Sequence, residues 1–350
     1  MPPAKPNASE GQRSKLPSFV CPRCRGSLEE LPSAYACAAC ALEFPILHGI
    51  PDFRLRSDAY LSLEEERAKA KRLAEHQAPS FAERLAFYYT ITDDVTSEQA
   101  QRFMAYNHNG PALARPSLDH LQPRTGQRFL DLGCGSGGGL LAAADSGAAL
   151  IGVDIALRWL VLCKTRLEEQ GVEALLVCAD VEALPFAPGS FDRVLANDLL
   201  ENAYDVPKAL ACMAQAMAPG AELWASGSNK YGLGPHPSTR LWCVGFLPSG
   251  LRSALLRRLR GVDSLRHVQL ISPLGLGRLA RRLGLRCKRL APKQIPTGGD
   301  LKYAGADRFW VGLYARLSRL PFLSQLMLLL GPAFEIHLTR PAPPTERLSP

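Results

Sequence analysis

Residues 128–154 read as a strand, a glycine loop, a helix and a second strand, and this passage restricts the fold more than any other part of the chain. Phe129-Leu130-Asp131-Leu132 is an apolar run broken by one acid, as suits a strand covered on both faces. The loop Gly133-Cys134-Gly135-Ser136-Gly137-Gly138-Gly139 follows, residues 140–146 begin a helix, and Ala149-Leu150-Ile151-Gly152-Val153 is the next strand, ending on Asp154. Glycines alone only permit tight turns and close backbone approach. Here the loop follows a strand and opens a helix. An acid stands 17 positions after Gly137, where it can accept hydrogen bonds from both hydroxyls of a ribose. The passage therefore implies a parallel α/β sheet that holds a nucleoside-type cofactor.

The loop also separates one nucleoside from another. Dinucleotide sites use G-x-G-x-x-G with the pyrophosphate on the helix N-terminus, whereas Asp131 begins D-x-G-x-G-x-G. That pattern resembles motif I of the class I S-adenosylmethionine (SAM) methyltransferases with a type 11/25-like core. The likeness continues in order, with Asp180 ending a third strand and Phe191-Asp192-Arg193-Val194-Leu195-Ala196-Asn197 forming a fourth. MAPGAELWASGS follows as a proline-glycine turn into a fifth, with Ala221 where a second glycine is common. The resemblance covers residues 123–228. It implies an α/β fold, a Rossmann-like seven-stranded sheet with helices on both faces. It also implies that Asp131 and the glycines Gly133, Gly135 and Gly137 lie on the methionine half of the cofactor and that Asp154 takes the ribose. Asp180 with Val181 would take the adenine, and Asn197 and Asp198 would face the reacting end. The N/D-P-P-Y/F motif of many enzymes that methylate exocyclic base nitrogens is missing at strand four, which counts against that chemistry.

Residues 286–290 and 334–339 are expected as strands six and seven, so that a methyltransferase domain spans 123–341. Ser272 and Pro273 make a helix start, and Leu276, Leu279, Ala280 and Leu283 its apolar stripe. Two insertions remain, 229–270 and 297–331, expected as helical lids beside the acceptor. In the first, Leu251, Leu255 and Leu259 recur at i, i+4 and i+8. His236 is the candidate acceptor base, although a histidine there equally caps a loop, and Arg240 and Trp242 are candidates to hold an anionic or planar acceptor, although a Trp followed by Phe246 and Leu247 is more often lid core.

Four of the ten cysteines are ordered: Cys21, Cys24, Cys37 and Cys40 form C-x2-C, twelve residues, C-x2-C. Each pair places two thiolates on a tight knuckle, and two knuckles give the closed tetrahedral S4 set of structural zinc. The matched second pair argues against a redox role for either. His48 is a stray candidate beside a site that four thiolates already fill. Residues 21–53, with CPxCxGxL at one end and FPILHGIPDF at the other, resemble the zinc ribbon of the Trm112-like group, which precedes many bacterial methyltransferases. A ribbon is expected over 17–56, followed by a helical linker or lid over 57–122. There Ser62 and Glu65 read as a capping box, and Tyr88, Tyr89, Phe103, Tyr106 and His108 form a lid or ordinary packing. The other cysteines (134, 163, 178, 212, 243 and 287) read as small buried hydrophobes.

With 47% hydrophobic and 21% charged residues in 350, the chain has an ordinary globular profile, and its longest markedly apolar stretch, about 12 residues at 320–331, is shorter than the roughly 20 a spanning helix needs. Residues 1–16 and 342–350 read as tails, and the first lacks the apolar run of a secretory signal, so a cytoplasmic location is expected. The net charge of +8 is uneven. Residues 240–319 hold 17 Lys or Arg and 3 Asp or Glu, a net of +14 that leaves the rest at −6. Such a face suits an anionic partner, phosphate-bearing, carboxylate-bearing or a membrane surface. The same counts fit solvated helix faces written in Arg, which outnumbers Lys by 31 to 10. The favoured activity is methyl transfer from SAM to a small-molecule or lipid/glycan-linked acceptor. The alternatives are an RNA (rRNA or tRNA) methyltransferase using ribbon and basic lid, and a non-catalytic SAM-binding scaffold.

Overall fold

The four-cysteine segment folds as a small antiparallel sheet of Glu29–Glu30 (β1), Ala34–Cys37 (β2), Leu42–Leu47 (β3) and Ile50–Pro51 (β4), in the order β1-β2-β3-β4. The computed structural model describes residues 16–342 apart from 79, 94, 235, 237–238, 240, 261–264, 266–267 and 295–304. Both expected tails lie outside the described residues except for Leu16 and Ala342. Beyond β4 the chain runs alongside a strand of the main sheet, and Phe53 N donates to Cys178 O at 2.8 Å. Val20 N donates to Pro185 O at 3.0 Å, Ala187 N to Ser18 O at 3.1 Å, and the Arg25 guanidinium to the carbonyls of Leu184 and Phe186. The rings of Phe19, Tyr35, Phe44 and Phe53 pack at centroid separations of 4.9 to 5.3 Å, and Phe19 reaches Phe186 at 5.7 Å. A segment too short to bury a core of its own thus shares one with the sheet, and it covers an edge strand that would otherwise offer unpaired backbone.

Four helices follow: Leu63–Glu75 (α1), Phe81–Thr90 (α2), Ser97–His108 (α3) and Gly110–Leu121 (α4). Both bonds of the expected capping box at Ser62 and Glu65 are present. A buried ion group pins α1 to the main domain: Arg158 donates to Asp58 Oδ2 at 2.8 Å and to the Glu66 carboxylate. Of the aromatic cluster, Tyr88 is packed against Trp159, with centroids 4.9 Å apart, while Phe103 and Tyr106 are exposed.

The main sheet is built from Arg128–Leu132 (β5), Ala149–Asp154 (β6), Leu175–Cys178 (β7), Phe191–Asn197 (β8), Met217–Ser228 (β9), Arg286–Pro292 (β10) and Ala333–Thr339 (β11). Helices Gly138–Ala142 (α5), Leu157–Glu169 (α6), Val206–Ala216 (α7), Ser249–Arg260 (α8), Pro273–Arg282 (α9), Gly305–Leu317 (α10) and Pro321–Leu330 (α11) connect them. The order is β10-β11-β9-β8-β5-β6-β7, with β11 antiparallel to both neighbours. This is the expected seven-stranded sheet. The chain leaves β5 toward β6 on one side and returns as β8 on the other, which opens a crevice at the carboxyl ends of β5 and β8, where ligands of such sheets bind.

Several local expectations change. The helix after the glycine loop ends at Ala142, and a 3-10 turn over Ala144–Ser146 follows, stopped by Gly147 at φ +70°. The MAPG turn is taken into β9, which starts at Met217 and is irregular opposite Phe191 and Arg193. Asp180 stands two residues beyond β7 and caps a 3-10 turn instead of ending the strand. The stripe of Leu251, Leu255 and Leu259 faces solvent, and Leu256 is the side chain that α8 buries, with Val244 and Leu265. Cys134, Cys163 and Cys178 are buried as expected, Cys212 and Cys287 are half-buried, and Cys243 is exposed.

Phe53 is fully buried between the ribbon and β7. Replacing it with Ala should lower the unfolding free energy by about 3 to 5 kcal/mol in a urea titration. Wild-type stability would show that the two sheets do not share a core.

Candidate active site

Three glycines turn the chain from β5 into α5. Gly133, Gly135 and Gly137 have φ of +69°, +49° and +81°, where any other L-residue is strained. A Cβ on Gly137 would stand 2.7 Å from Cys163 Sγ, and one on Gly139 would overlap the Asp131 carboxylate. Gly135 is different: nothing lies within 4 Å of the place its Cβ would take, so the loop leaves an open cradle. Burial, then the Asp154 charge, push the Asp131 carboxyl up to about 8, so that it lies beneath the loop largely protonated at neutral pH.

Asp154, at the end of β6, accepts from Gly135 N at 2.9 Å and Ala156 N at 2.8 Å, and burial raises its pKa. A carboxylate has about four lone-pair sites, so acceptor capacity remains for ribose hydroxyls. Asp180 accepts from Glu182 N at 2.9 Å and from Arg56 Nε at 2.6 Å. Arg56, at the end of the ribbon, also pairs with Glu182 at 2.7 Å and lies 4.0 Å over the Tyr204 ring. Val181 is buried in the turn beside it. Across the loop, Arg166 donates to the carbonyls of Asn107 at 2.9 Å and His108 at 3.1 Å, and Ser136 Oγ bonds Asn107 Oδ1 at 2.8 Å, so the end of α3 is clamped over the glycines.

At the carboxyl end of the central strands, β8 stops on Asn197, and Asp198 takes φ +52°, a left-handed conformation that costs a non-glycine residue about 1 kcal/mol or more. Ser226 holds it there: Asp198 N donates to Ser226 O at 3.0 Å, and Ser226 Oγ donates to Asn197 Oδ1 and to Asp198 Oδ1, both at 3.1 Å. Lys293 places its ammonium 2.7 and 2.5 Å from the two Asp198 oxygens. Burial lowers the Lys293 pKa, but Asp198 outweighs it and the net shift is upward. Glu201 accepts from Ser228 Oγ at 3.1 Å and from Ser228 N. Burial, then the Asp198 charge, push its carboxyl up to about 7. Tyr106 of α3 faces the same group, and although its side chain as a whole is exposed, desolvation at its hydroxyl, then the Asp198 charge, raises its phenol pKa. His236 is buried within the first insertion, where its backbone N–H donates to Leu241 O at 3.0 Å, and burial followed by Arg252 lowers the pKa of its ring to about 4. Trp242 is 56% exposed, and Arg240 lies outside the described residues.

A family model described as "Methyltransferase domain" matches residues 130–225. The ubiquinone biosynthesis O-methyltransferase of Thiobacillus denitrificans is 30% identical over 177 residues, which span 49% of this chain and 70% of that protein. The chain belongs to the SAM-dependent methyltransferases. The nocamycin O-methyltransferase of Saccharothrix syringae is 33% identical to this methyltransferase over 142 residues, 39% of the chain, and the chain spans about half (49%) of that protein's length. Among solved structures, the complex between the Haloferax volcanii Trm112 methyltransferase activator and the putative methyltransferase is similar with a TM-score of 0.45 at 18% identity, covering 69% of this chain and 93% of that one.

Away from the crevice of the methyltransferase, the sulfurs of Cys21, Cys24, Cys37 and Cys40 lie within 4.8 Å of one another. Cys21 and Cys40 are 3.9 Å apart, and Cys24 and Cys37 3.6 Å. A tetrahedron with Zn–S bonds of about 2.3 Å has edges of about 3.8 Å, so the four fit a zinc ion. The structure thus groups Asn197 with Asp198, and Asp131 with Asp154. Sequence reasoning missed Arg56, Tyr106 as a site residue, Glu201 and Lys293. Glu201 alone carried a signal, an acid three residues after Asp198.

Proposed function

We propose that this methyltransferase transfers a methyl group from SAM to an oxygen of a small-molecule or lipid-like acceptor, and that Glu201 takes the acceptor proton. When bound, SAM supplies an electrophilic methyl group. The open cradle at Gly135 and the remaining acceptor capacity of Asp154 support seating the methionine and ribose there, with Asp131, Gly133 and Gly137 shaping the loop. Asp180, oriented by Arg56, and Val181 would take the adenine. Asn197 and Asp198 would line the reacting end, where proximity and orientation account for most of the rate.

One observation carries the reading of Glu201: a buried carboxyl with its pKa raised to about 7 at the carboxyl end of the central strands. A base works best when its pKa lies near the operating pH, and a ring lowered to about 4, as His236 is, retains little proton affinity. The Lys293–Asp198 pair would hold its charge steady while the proton moves to Glu201. The O-methyltransferase names of two relatives agree with an oxygen acceptor. The four cysteines would hold a structural zinc that closes the ribbon and, having no open coordination position, does no chemistry.

The base works deprotonated, so kcat/KM for the acceptor should rise with pH and level off above about 7. Glu201→Gln should remove that dependence and cost about a hundredfold or more in kcat, while calorimetry shows unchanged SAM affinity. A variant that keeps wild-type kcat would overturn the role of Glu201. For the metal, elemental analysis of the purified protein should find one zinc per chain, lost in Cys37→Ser/Cys40→Ser together with thermal stability. Metal-free protein with unchanged melting would remove the zinc assignment.

A further inference from the structure

The two insertions carry an apolar surface that a freely dissolved lid does not need. Of the 19 large hydrophobic side chains exposed among the described residues, 12 lie in residues 229–270 and 297–331, so most of the exposure belongs to the lids. In α8, Leu251, Leu255 and Leu259 are 63%, 36% and 53% exposed along one face. In α11, Phe322, Leu326 and Leu329, at i, i+4 and i+7, are 95%, 45% and 43% exposed. Burial of Leu256 in α8 and Leu328 in α11 already fixes both helices to the protein, so these outer stripes are not needed to hold them.

The charge beside the stripes is of one sign. Arg252, Arg257, Arg258 and Arg260 lie in α8, residues 241–260 contain no acid, and α11 carries no charge. Arg257 and Arg258 are exposed. A short helix with leucines on one face and arginines beside them matches the interfacial plane of an anionic bilayer, where the apolar side chains enter the acyl boundary and the guanidinium groups reach the headgroups. An exposed apolar stripe gives nothing to a soluble RNA.

Both helices hang on the reacting end of the sheet. Asn229, directly after β9, donates its side-chain amide to the carbonyls of Leu328, Leu329 and Gly331 at 2.9 to 3.1 Å, and Leu233 N bonds Leu330 O at 2.8 Å. The same loop continues to Val244, which packs on Leu256 of α8, and the rings of Tyr231 and Phe246 meet at 5.4 Å. Tyr314 of α10 donates its hydroxyl to Lys293 O at 3.0 Å, next to the ion pair on Asp198. Ser228, where this loop begins, is the residue bonded to Glu201.

We propose that the outer faces of α8 and α11, with Arg257 and Arg258, dock the methyltransferase on an anionic lipid bilayer, so that a lipid-like acceptor passes from the membrane to the Glu201 end of the sheet. This rests on the acceptor class given above and narrows it to molecules that partition into membranes. No helix among the described residues is long and apolar enough to cross a bilayer, so the contact is peripheral.

Co-sedimentation of the full chain with vesicles tests it, without cofactor or acceptor. Vesicles of phosphatidylcholine with roughly one third phosphatidylglycerol should bind the protein about tenfold or more tightly than phosphatidylcholine alone. Leu255→Asp/Leu259→Asp, Phe322→Asp/Leu326→Asp and Arg257→Glu/Arg258→Glu should each weaken that binding by about tenfold, with circular dichroism and SAM affinity unchanged. Equal binding to both vesicles, no binding to either, or wild-type binding by all three variants would overturn the proposal. So would indifference to vesicles combined with tight binding of a single-stranded RNA oligomer that falls steeply with salt. Because SAM affinity is read separately on the same proteins, loss of docking is distinguishable from failure of the transferase reading.

Discussion

The hydrogen bond from Phe53 N to Cys178 O is the join on which the rest of the molecule depends. It lays the end of the ribbon along the outer strand of the seven-stranded sheet, and the residues that follow are thereby aimed at the carboxyl ends of β6 and β7. Arg54 reaches the carbonyl of Ile155 at 3.0 Å, Arg56 reaches Asp180, and Asp58 meets Arg158. A metal-sized cluster of cysteines can then influence a cofactor crevice it does not touch, because fixing the knuckles fixes the strand, and the strand places the arginines. Asp52, buried and held in its charged form by Arg54 and Arg67 despite its burial, locks the turn between the two sheets.

At the other end of the crevice the constraint is backbone strain. Asp198 keeps its left-handed conformation with its amide bonded to Ser226 O and its carboxylate bonded by Ser226 Oγ and Lys293. Holding it there keeps a negative charge close to Glu201, and that charge, added to burial, brings the Glu201 carboxyl near neutrality. Tyr314 of the second insertion bonds the carbonyl of Lys293, so the carboxyl end of the central strands is tied to the same segments that present apolar surface to the outside.

Sequence shows best what depends on neighbours along the chain. The turn at Gly133, Gly135 and Gly137, the acid at Asp154, the cysteine knuckles and the caps at Ser62 and Ser272 are local patterns, and each is present as read. The seven-stranded sheet followed from strand count and the likeness of its motifs, while its order came only with the structure. What could not be read depends on distance in sequence: Arg56 meets Asp180 across 124 positions, and Lys293 meets Asp198 across 95. Periodicity left the orientation of α8 open. An i, i+4, i+8 stripe shows that a face is apolar but not whether it faces the core, and here one residue outside the stripe, Leu256, does the packing.

The central claim is that the ribbon, through Arg56, is part of the cofactor site. Calorimetric titration of SAM into Arg56→Ala, compared with the unaltered chain at equal zinc content and equal thermal stability, tests it most directly. Asp180 without its guanidinium partner keeps only the bond from Glu182 N to orient it, so the Kd should rise by about tenfold, which corresponds to roughly 1.4 kcal/mol. An unchanged or lower Kd would mean that ribbon and cofactor site are merely neighbours.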